Sequence, residues 1–216
     1  GLGLGNSAVE ALLSGLYEVL ERDATMLAWY STFEPLRLEL SDERFRTLVK
    51  RARAEALDVT PLLVTQDVDV PVVAVAVHRD PGSDDESAWP RFAMGSGADL
   101  DPIAAAHSAL AEALQNWMEL RSMGPEQAAE EKAAIGEYAS FPAVAQRFVE
   151  IDATVPAGSV GPDPLPEGEA ELDAVVDRVV DAGLDAYAAR ITTPDVASLG
   201  FEAVRVLIPE TQPLFT

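Results

Sequence analysis

A run of β-branched residues in the first half of the chain places the strongest limit on the fold. Residues 70–78 read Val-Pro-Val-Val-Ala-Val-Ala-Val-His. A near-continuous apolar run of this kind is typical of a strand that is buried on both faces. Further strands are predicted at 60–67, 92–97, 185–191 and 204–208. Because these strands alternate with predicted helices and no internal repeat is evident, the sequence predicts a mixed α/β (α+β) fold, with mixed sheets packed against helices.

The helical segments are recognised from apolar residues that recur at helical spacing and from their N-terminal caps. Helices are predicted at 7–23, 43–57, 101–123 and 169–182, with mixed helical structure at 125–150. Residues 27–40 alternate in short stretches, which indicates either two short strands or a helix end followed by a strand. Three aromatic residues are expected in the core: Trp29, Tyr30 and Trp117.

A segment rich in Pro and Gly divides the chain. Residues 152–168 are predicted to be a linker or an exposed insert. They separate a core at 1–151 from a C-terminal helix–strand segment at 169–216. Residues 80–90, rich in Asp, Ser and Pro, are predicted to be a surface loop.

Composition excludes several classes of function. The 216 residues include 37 acidic and 15 basic side chains, a net charge of −22, so direct binding of nucleic acid through a basic surface is not expected. With no Cys and only two His, thiol nucleophiles, zinc thiolates and histidine metal clusters are excluded. There is no bilayer-length apolar run and no signal peptide, so we expect a cytoplasmic protein without membrane contact.

Lysine is almost missing, with only Lys50 and Lys132 among the basic residues. An acidic, Lys-poor chain is typical of a cytoplasm with very high salt, where counterions screen self-repulsion. We therefore expect an extreme halophile as the source, against the alternative of an ordinary acidic protein. In such a chain a single surface carboxylate carries little information, and only clustered carboxylates on a patterned face count.

The first predicted helix carries such a cluster. At about 100° per residue, five polar side chains fall within about 80° of one another: Ser7, Glu10, Ser14, Glu18 and Glu21. No basic residue is interleaved before Arg22, so the carboxylates repel one another unless a cation lies between them. Mg²⁺ bridging to phosphate is the commonest such case. Ser7 and Glu10 also have the spacing of a capping box, a purely structural alternative that stays open at this point.

The helix at 101–123 repeats this pattern within about 100° of its surface, with Ser108, Glu112, Gln115, Asn116 and Glu119. A Gln flanked by two Glu could bind Mg²⁺ and a nucleotide together, whereas a solvated face of an amphipathic helix is the alternative. The preceding residues 95–99, Gly-Ser-Gly-Ala-Asp, form either a phosphate cradle at a helix N-terminus or a simple loop.

Three motifs follow one another along the chain. The first is Ser7-x-x-Glu10-Ala11-x-x-x-Gly15-Leu16-x-Glu18-x-x-Glu21-Arg22-Asp23-Ala24. The second is Gly95-Ser96-Gly97-Ala98-x-x-Asp101-Pro102-x-x-Ala105-Ala106-x-x-Ala109-Leu110-x-Glu112-Ala113-x-Gln115. The third is Val204-Arg205-Val206-Leu207-Ile208-Pro209-x-x-Gln212-Pro213-Leu214. In this order and spacing, and over most of the chain, they resemble the YcaO family.

The resemblance implies a YcaO-like fold in which two carboxylate-bearing helices line a nucleotide site. It implies an enzyme that uses ATP and Mg²⁺ to phosphorylate the oxygen of a backbone amide in a peptide or protein. A Cys, Ser or Thr side chain or an external sulfur donor then attacks the carbon, which gives azolines, thioamides or amidines. Catalysis would rest on positioning and charge neutralisation, so no catalytic side-chain nucleophile is expected.

Carried over by position, the resemblance assigns Mg²⁺ ligands to Glu18, Glu21, Glu112 and Glu119. It assigns ATP contacts to Ser7, Glu10, Arg22 and Gln115. An intrahelical or core salt bridge is the alternative for Arg22. The family often has an Arg two positions after the Gln, where this chain has Trp117. His78 and His107 have no family role and are expected to be packed or surface residues.

The resemblance also bears on partners and on alternatives. It implies a peptide or protein substrate, a TfuA-like partner if the product is a thioamide, and a homodimer as one arrangement. Family members begin well before the first motif, so we expect further nucleotide contacts ahead of Gly1, and whether this partial domain is active alone stays open. The alternative function is a nucleotide-binding, non-catalytic scaffold that assists the modification of a ribosomal or other protein. The third possibility is a soluble α/β protein whose acidic helix faces are only part of its surface.

Overall fold

The computed structural model describes residues 1–80, 89–131 and 133–213. The predicted loop at 80–90 therefore lies mostly outside the described residues, as do Lys132 and the last residue of the third motif, Leu214. In chain order the elements are β1 (Leu2–Gly5), α1 (Ala8–Tyr30), β2 (Leu36–Glu39), α2 (Glu43–Ala54), β3 (Asp58–Leu63), β4 (Val72–His78), β5 (Phe92–Ala98), α3 (Pro102–Glu131), α4 (Ala133–Ala139), α5 (Ala143–Gln146), β6 (Thr154–Pro156), α6 (Glu169–Asp181), β7 (Tyr187–Arg190), α7 (Pro194–Ser198) and β8 (Glu202–Leu207).

The strands form two sheets, which confirms the predicted mixed α/β fold. The larger sheet has the order β5-β4-β3-β2-β6 and is antiparallel except for the parallel pair of β2 and β6. The smaller sheet has the order β1-β8-β7 and is antiparallel throughout. Each sheet therefore ends on a strand, β5 or β1, that leads directly into a long helix.

The β-branched run forms β4, and every one of its residues is buried. On one face, Val73, Val75 and Val77 pack in the same cluster as Ala106 and Leu110 of α3. The other face belongs to a second cluster, in which Val72 and Ala74 lie with Ala24 and Ala28 of α1. The two acidic helices are therefore held on opposite faces of the same sheet by the strand between them.

Two strand–helix units with the same close contact organise the molecule: β1 with α1 (unit 1) and β5 with α3 (unit 2). A Cβ added at Gly3 would lie 1.8 Å from the carbonyl oxygen of Ala11, and one at Gly97 would lie 2.5 Å from that of Ala105. These glycines let each strand touch the helix that follows it. The paired residues are 94 positions apart, as are the helix starts at Ala8 and Pro102. The expectation of no internal repeat is therefore wrong at the level of structure.

Helix α1 is longer than predicted and continues to Tyr30, which resolves the ambiguity at 27–40 as a helix end followed by a strand. Its last carbonyl groups are capped by Arg147, whose guanidinium donates to the oxygens of Ala28 (2.6 Å), Trp29 and Ser31. Trp29 is partly buried and stacks on Phe148. Tyr30 is 79% exposed, so its prediction as a core residue is wrong: at the end of the helix it points away from both packed faces.

Helix α3 follows its predicted course up to Met123. At Gly124 the backbone leaves the helical region (φ 76°, ψ 164°), and Pro125 begins the next turns. Gly124 marks a break between two helices, because proline cannot continue the first one. Trp117 is buried, as predicted, and lies under the Arg79 guanidinium.

The segment at 152–168, predicted as a linker or insert, is partly built into the larger sheet. Thr154–Pro156 forms the edge strand β6, and Ala157 is buried next to it.

Farther along, the backbone N–H of Gln212 donates to Asp23 of α1 at 2.6 Å, which ties the end of the described chain to the first helix. None of the helices in the described parts of the chain combines the length and the apolar character that a membrane span requires.

Candidate functional site

One strand residue joins the two acidic helices. The hydroxyl of Ser96, in β5, donates a hydrogen bond to Oε1 of Glu21 in α1 at 2.8 Å. Its backbone N–H donates to Oε2 of Glu112 in α3 at 2.6 Å. A carboxylate from each helix is therefore anchored on the same residue, and we call this arrangement the Ser96 bridge.

The Glu21 carboxylate lies in an environment that disfavours its charge. Burial, together with the nearby carboxylates of Glu112 and Glu18, raises the pKa of Glu21 to about 7, against the Ser96 hydrogen bond and the Arg22 charge. Desolvation and like charges both favour the protonated form of a carboxyl group. A cation bound by these carboxylates would offset both causes, so the donor types fit a hard divalent ion.

Glu18 lies one turn before Glu21 and is held in the structure by two groups. Its carboxylate forms an ion pair with Arg22 and accepts a hydrogen bond from the backbone N–H of Leu2. The salt-bridge alternative for Arg22 is thus present in this structure. Within residues 1–80, 89–131 and 133–213, no three acidic or histidine side chains are grouped so that they could hold a metal ion.

The internal repeat extends to these side chains. Leu2 and Ser96 are equivalent, 94 positions apart, and each donates its backbone N–H to the equivalent glutamate, Glu18 or Glu112. The next pair in register is Glu21 and Gln115. Both helices therefore carry the pattern Ser-x-x-x-Glu-x-x-Glu/Gln, at residues 14–21 and 108–115. The pattern is readable in the sequence, and its two serines, Ser14 and Ser108, are both exposed.

Ser7 and Glu10 lie at the start of α1. The Ser7 hydroxyl accepts a hydrogen bond from the Glu10 N–H at 3.2 Å, and Glu10 accepts from the backbone and side-chain nitrogens of Asn6 at 2.8 and 3.1 Å. With a rise of about 1.5 Å per residue, Glu10 is about 12 Å along the helix from Glu18. The structure gives both residues a capping role and does not bring them to the Ser96 bridge.

The remaining predicted residues lie along α3. Gln115 is exposed, one turn beyond Glu112 and on the same face. Glu119 is also exposed, about 10 Å along the helix from Glu112. Its carboxylate makes no hydrogen bond or ion pair with the described residues. Of these three side chains, Glu112 is the one that shares a hydrogen-bond partner, Ser96, with α1.

A groove beside the Glu18–Arg22 pair extends the site. It has a volume of about 430 Å³ and is lined by Arg22, by Arg205 of β8 and by the segment from Ile208 to Pro213. Arg205 is exposed. In the predicted strand at 204–208 Arg205 is the one residue that is not apolar, which was the available signal for it.

Fold and contacts together define a mixed α/β domain in which two acidic helices meet at one strand. The chain belongs to the YcaO family: the family model described as a YcaO cyclodehydratase that binds ATP and Mg²⁺ matches residues 1–212.

Solved structures agree with this assignment. A heterocyclase in complex with substrate and cofactor is 25% identical, with a TM-score of 0.82 over 98% of this chain and 28% of its own. YcaO from Methanopyrus kandleri, bound with AMPPCP and Mg²⁺, is also 25% identical, with a TM-score of 0.73 over 98% of this chain and 54% of its own.

A curated relative, an uncharacterised protein in the tfuA 3′ region of Rhizobium leguminosarum bv. trifolii, is 30% identical over 123 residues. That alignment covers 54% of this chain and 29% of the relative. The chain therefore corresponds to between about a quarter and about half of the length of these proteins.

Proposed function

We propose that this chain is part of an ATP- and Mg²⁺-dependent enzyme that activates a backbone amide of a peptide or protein by phosphorylation. The observation that carries the proposal is the Ser96 bridge, in which Glu21 and Glu112 of two different helices converge. In a family described as binding ATP and Mg²⁺, such convergence supports a metal–nucleotide site. The relative bound with AMPPCP and Mg²⁺ supports the same cofactors.

The ligand types support Mg²⁺ in particular. Mg²⁺ prefers oxygen ligands and is usually held by one or two carboxylates together with substrate phosphates. In this proposal Glu18, Glu21 and Glu112 hold the metal, Gln115 completes the set, and Arg22 exchanges Glu18 for a phosphate. Glu119, Ser7 and Glu10 stay predictions with less support, because Glu119 lies about two helical turns from Glu112 and Glu10 and Ser7 lie two or more from Glu18.

Bound ATP and its metal would supply the phosphoryl group and neutralise the charge that develops on it. The residues of the chain orient these groups and present no nucleophile, because phosphoryl transfer depends mainly on positioning and electrostatic stabilisation. The attacking group then belongs to the substrate, as a Cys, Ser or Thr side chain that gives an azoline, or to an external sulfur donor that gives a thioamide. The relative in the tfuA 3′ region favours the thioamide and a TfuA-like partner. We also propose that the protein is cytoplasmic and forms a homodimer.

Calorimetric titration with Mg²⁺–AMPPCP at molar salt tests the metal assignment. Glu18→Gln and Glu21→Gln should each weaken binding by about tenfold or more, because each removes a charged ligand. Glu126→Gln is the matched control, since Glu126 is exposed on the far side of the Gly124 break. Unchanged affinity in both site variants would refute the assignment.

ATP turnover separates the enzyme from the scaffold alternative. Consumption of ATP that depends on an added peptide supports amide activation. ADP release that no candidate peptide or protein changes would instead favour a nucleotide-binding scaffold.

A further inference from the structure

Ser96 is the side chain that links the two strand–helix units at the site. Its neighbours Gly95 and Gly97 turn toward α3 and have no side chain, while Ser96 points to the opposite face, toward α1. Its equivalent in unit 1 is Leu2, which shares the backbone contact to a glutamate and has no hydroxyl. The hydroxyl bond to Glu21 is therefore an addition to the repeated pattern, and it crosses from one unit to the other.

The two bonds of Ser96 have different physical origins. The N–H bond to Glu112 depends on the backbone of β5 and survives any substitution other than proline. The hydroxyl bond to Glu21 depends on the side chain alone. In the described chain it is the hydrogen bond that holds the Glu21 carboxylate, which otherwise faces two like charges, Glu112 and Glu18, and one opposite charge, Arg22. Without the hydroxyl, repulsion favours a rotamer of Glu21 that moves away from Glu112.

We propose that Ser96 is a positioning residue that sets the spacing of the Glu21 and Glu112 carboxylates for metal binding. This inference rests on the proposed function, because it assigns the role that Ser96 has in that same site. Ser96 does not hold the nucleotide or the metal itself. It acts through Glu21, as residues that orient metal ligands do, and their removal typically weakens metal affinity about 10- to 100-fold.

The test compares Ser96→Ala, which removes the hydroxyl, with Ser96→Thr, which retains it. Ser159→Ala is the matched control, because Ser159 is exposed and its hydroxyl bonds only a carbonyl of its own turn, that of Pro156. Binding of Mn²⁺, a spectroscopic substitute for Mg²⁺, is followed by electron paramagnetic resonance with AMPPCP present, and thermal unfolding is measured in parallel. Ser96→Ala should raise the Mn²⁺ dissociation constant about tenfold at an unchanged melting temperature, and Ser96→Thr should restore it to within about threefold.

Three outcomes overturn the inference. First, Ser96→Ala could bind Mn²⁺ as tightly as Ser159→Ala, which would exclude a positioning role for Ser96. If Glu21→Gln and Glu112→Gln still weaken Mn²⁺ binding in that case, the proposed function stands. Second, Ser96→Ala could lower the melting temperature and weaken Mn²⁺ binding without rescue by Ser96→Thr. That result would indicate a structural role only. Absence of Mn²⁺–AMPPCP binding by the unsubstituted protein removes the proposed function itself, and the inference with it.

Discussion

Glu18 and Glu112 occupy equivalent positions in two strand–helix units, and each accepts a hydrogen bond from a backbone N–H of the sheet-edge strand 16 residues earlier. An edge strand has unpaired N–H groups, which need other partners. Here glutamates supply the partners, so the same contact satisfies the strand edge and fixes a carboxylate beside it. The site is thus built from the edges of both sheets.

The glycines of unit 2 should be required for this geometry. A Cβ at Gly95 would lie 2.3 Å from the backbone nitrogen of Ala113, too close for α3 to stay on β5. We expect Gly95→Ala to lower the free energy of unfolding by about 1–3 kcal/mol through overpacking. Chemical denaturation at molar salt measures the change.

Gly158→Ala is the matched control, because a Cβ there meets open space. It should change the free energy of unfolding by less than about 0.5 kcal/mol. Equal effects of the two substitutions would contradict the close-approach role of Gly95.

The cap on α1 by Arg147 should contribute to stability. Its guanidinium donates to three carbonyl groups at the helix C-terminus, where a positive charge is also favoured by the helix dipole. Arg147→Met should lower the free energy of unfolding by about 1–3 kcal/mol, because it leaves partly buried carbonyls without a donor. Arg51→Met, on an exposed position of α2, serves as the control in the same denaturation series.

Asp99, just before α3, should make stability depend on pH. Burial raises the pKa of the Asp99 carboxyl, and the Glu171 and Asp101 carboxylates add to the rise. The folded protein therefore binds this proton more tightly than the unfolded chain. The ionised group destabilises the fold above its folded pKa, and this effect fades as the pH falls toward the unfolded pKa of about 3.9.

Asp99→Asn should consequently stabilise the protein at pH 7.5, by less than about 1 kcal/mol because the group is partly exposed and screened. The gain should vanish at pH values below about 3, about one unit under the unfolded pKa, where Asp99 is protonated in both states. Unfolding curves at the two pH values test this, with the exposed Asp152→Asn as the control. A gain that is the same at both pH values would exclude titration of Asp99 as its cause.

Local patterns predicted the elements whose formation depends on nearby residues. The run at 70–78 predicted a strand buried on both faces because its own side chains determine that burial. Strand β1 was missed because Leu-Gly-Leu-Gly has no strand signal of its own, and its pairing partner β8 lies about 200 residues farther along the chain. Tyr30 was placed wrongly because its orientation depends on where α1 ends, and that end is capped by the distant Arg147.

For the site too, features set by neighbouring residues could be predicted from the sequence, whereas contacts between distant residues could not. The acidic faces of both helices were evident from spacing, and the family resemblance related them to one nucleotide site. Ser96 was noticed only as part of a glycine-rich segment, because its contact with Glu21 joins residues 75 positions apart. The repeat was not evident because the two units share few identical residues, although the Ser-x-x-x-Glu-x-x-Glu/Gln pattern was present in both.

The last prediction ranks two carboxylates of α3. Glu112 is anchored on Ser96, whereas Glu119 lies about two turns farther along and has no partner among the described residues. Glu112→Gln should therefore weaken Mg²⁺–AMPPCP binding by about tenfold or more, while Glu119→Gln should change it by less than about twofold. The two variants remove the same charge from the same helix, so general electrostatics affects both equally. Equal losses in calorimetric titration would contradict this ranking, because they are the result expected if only the removed charge matters.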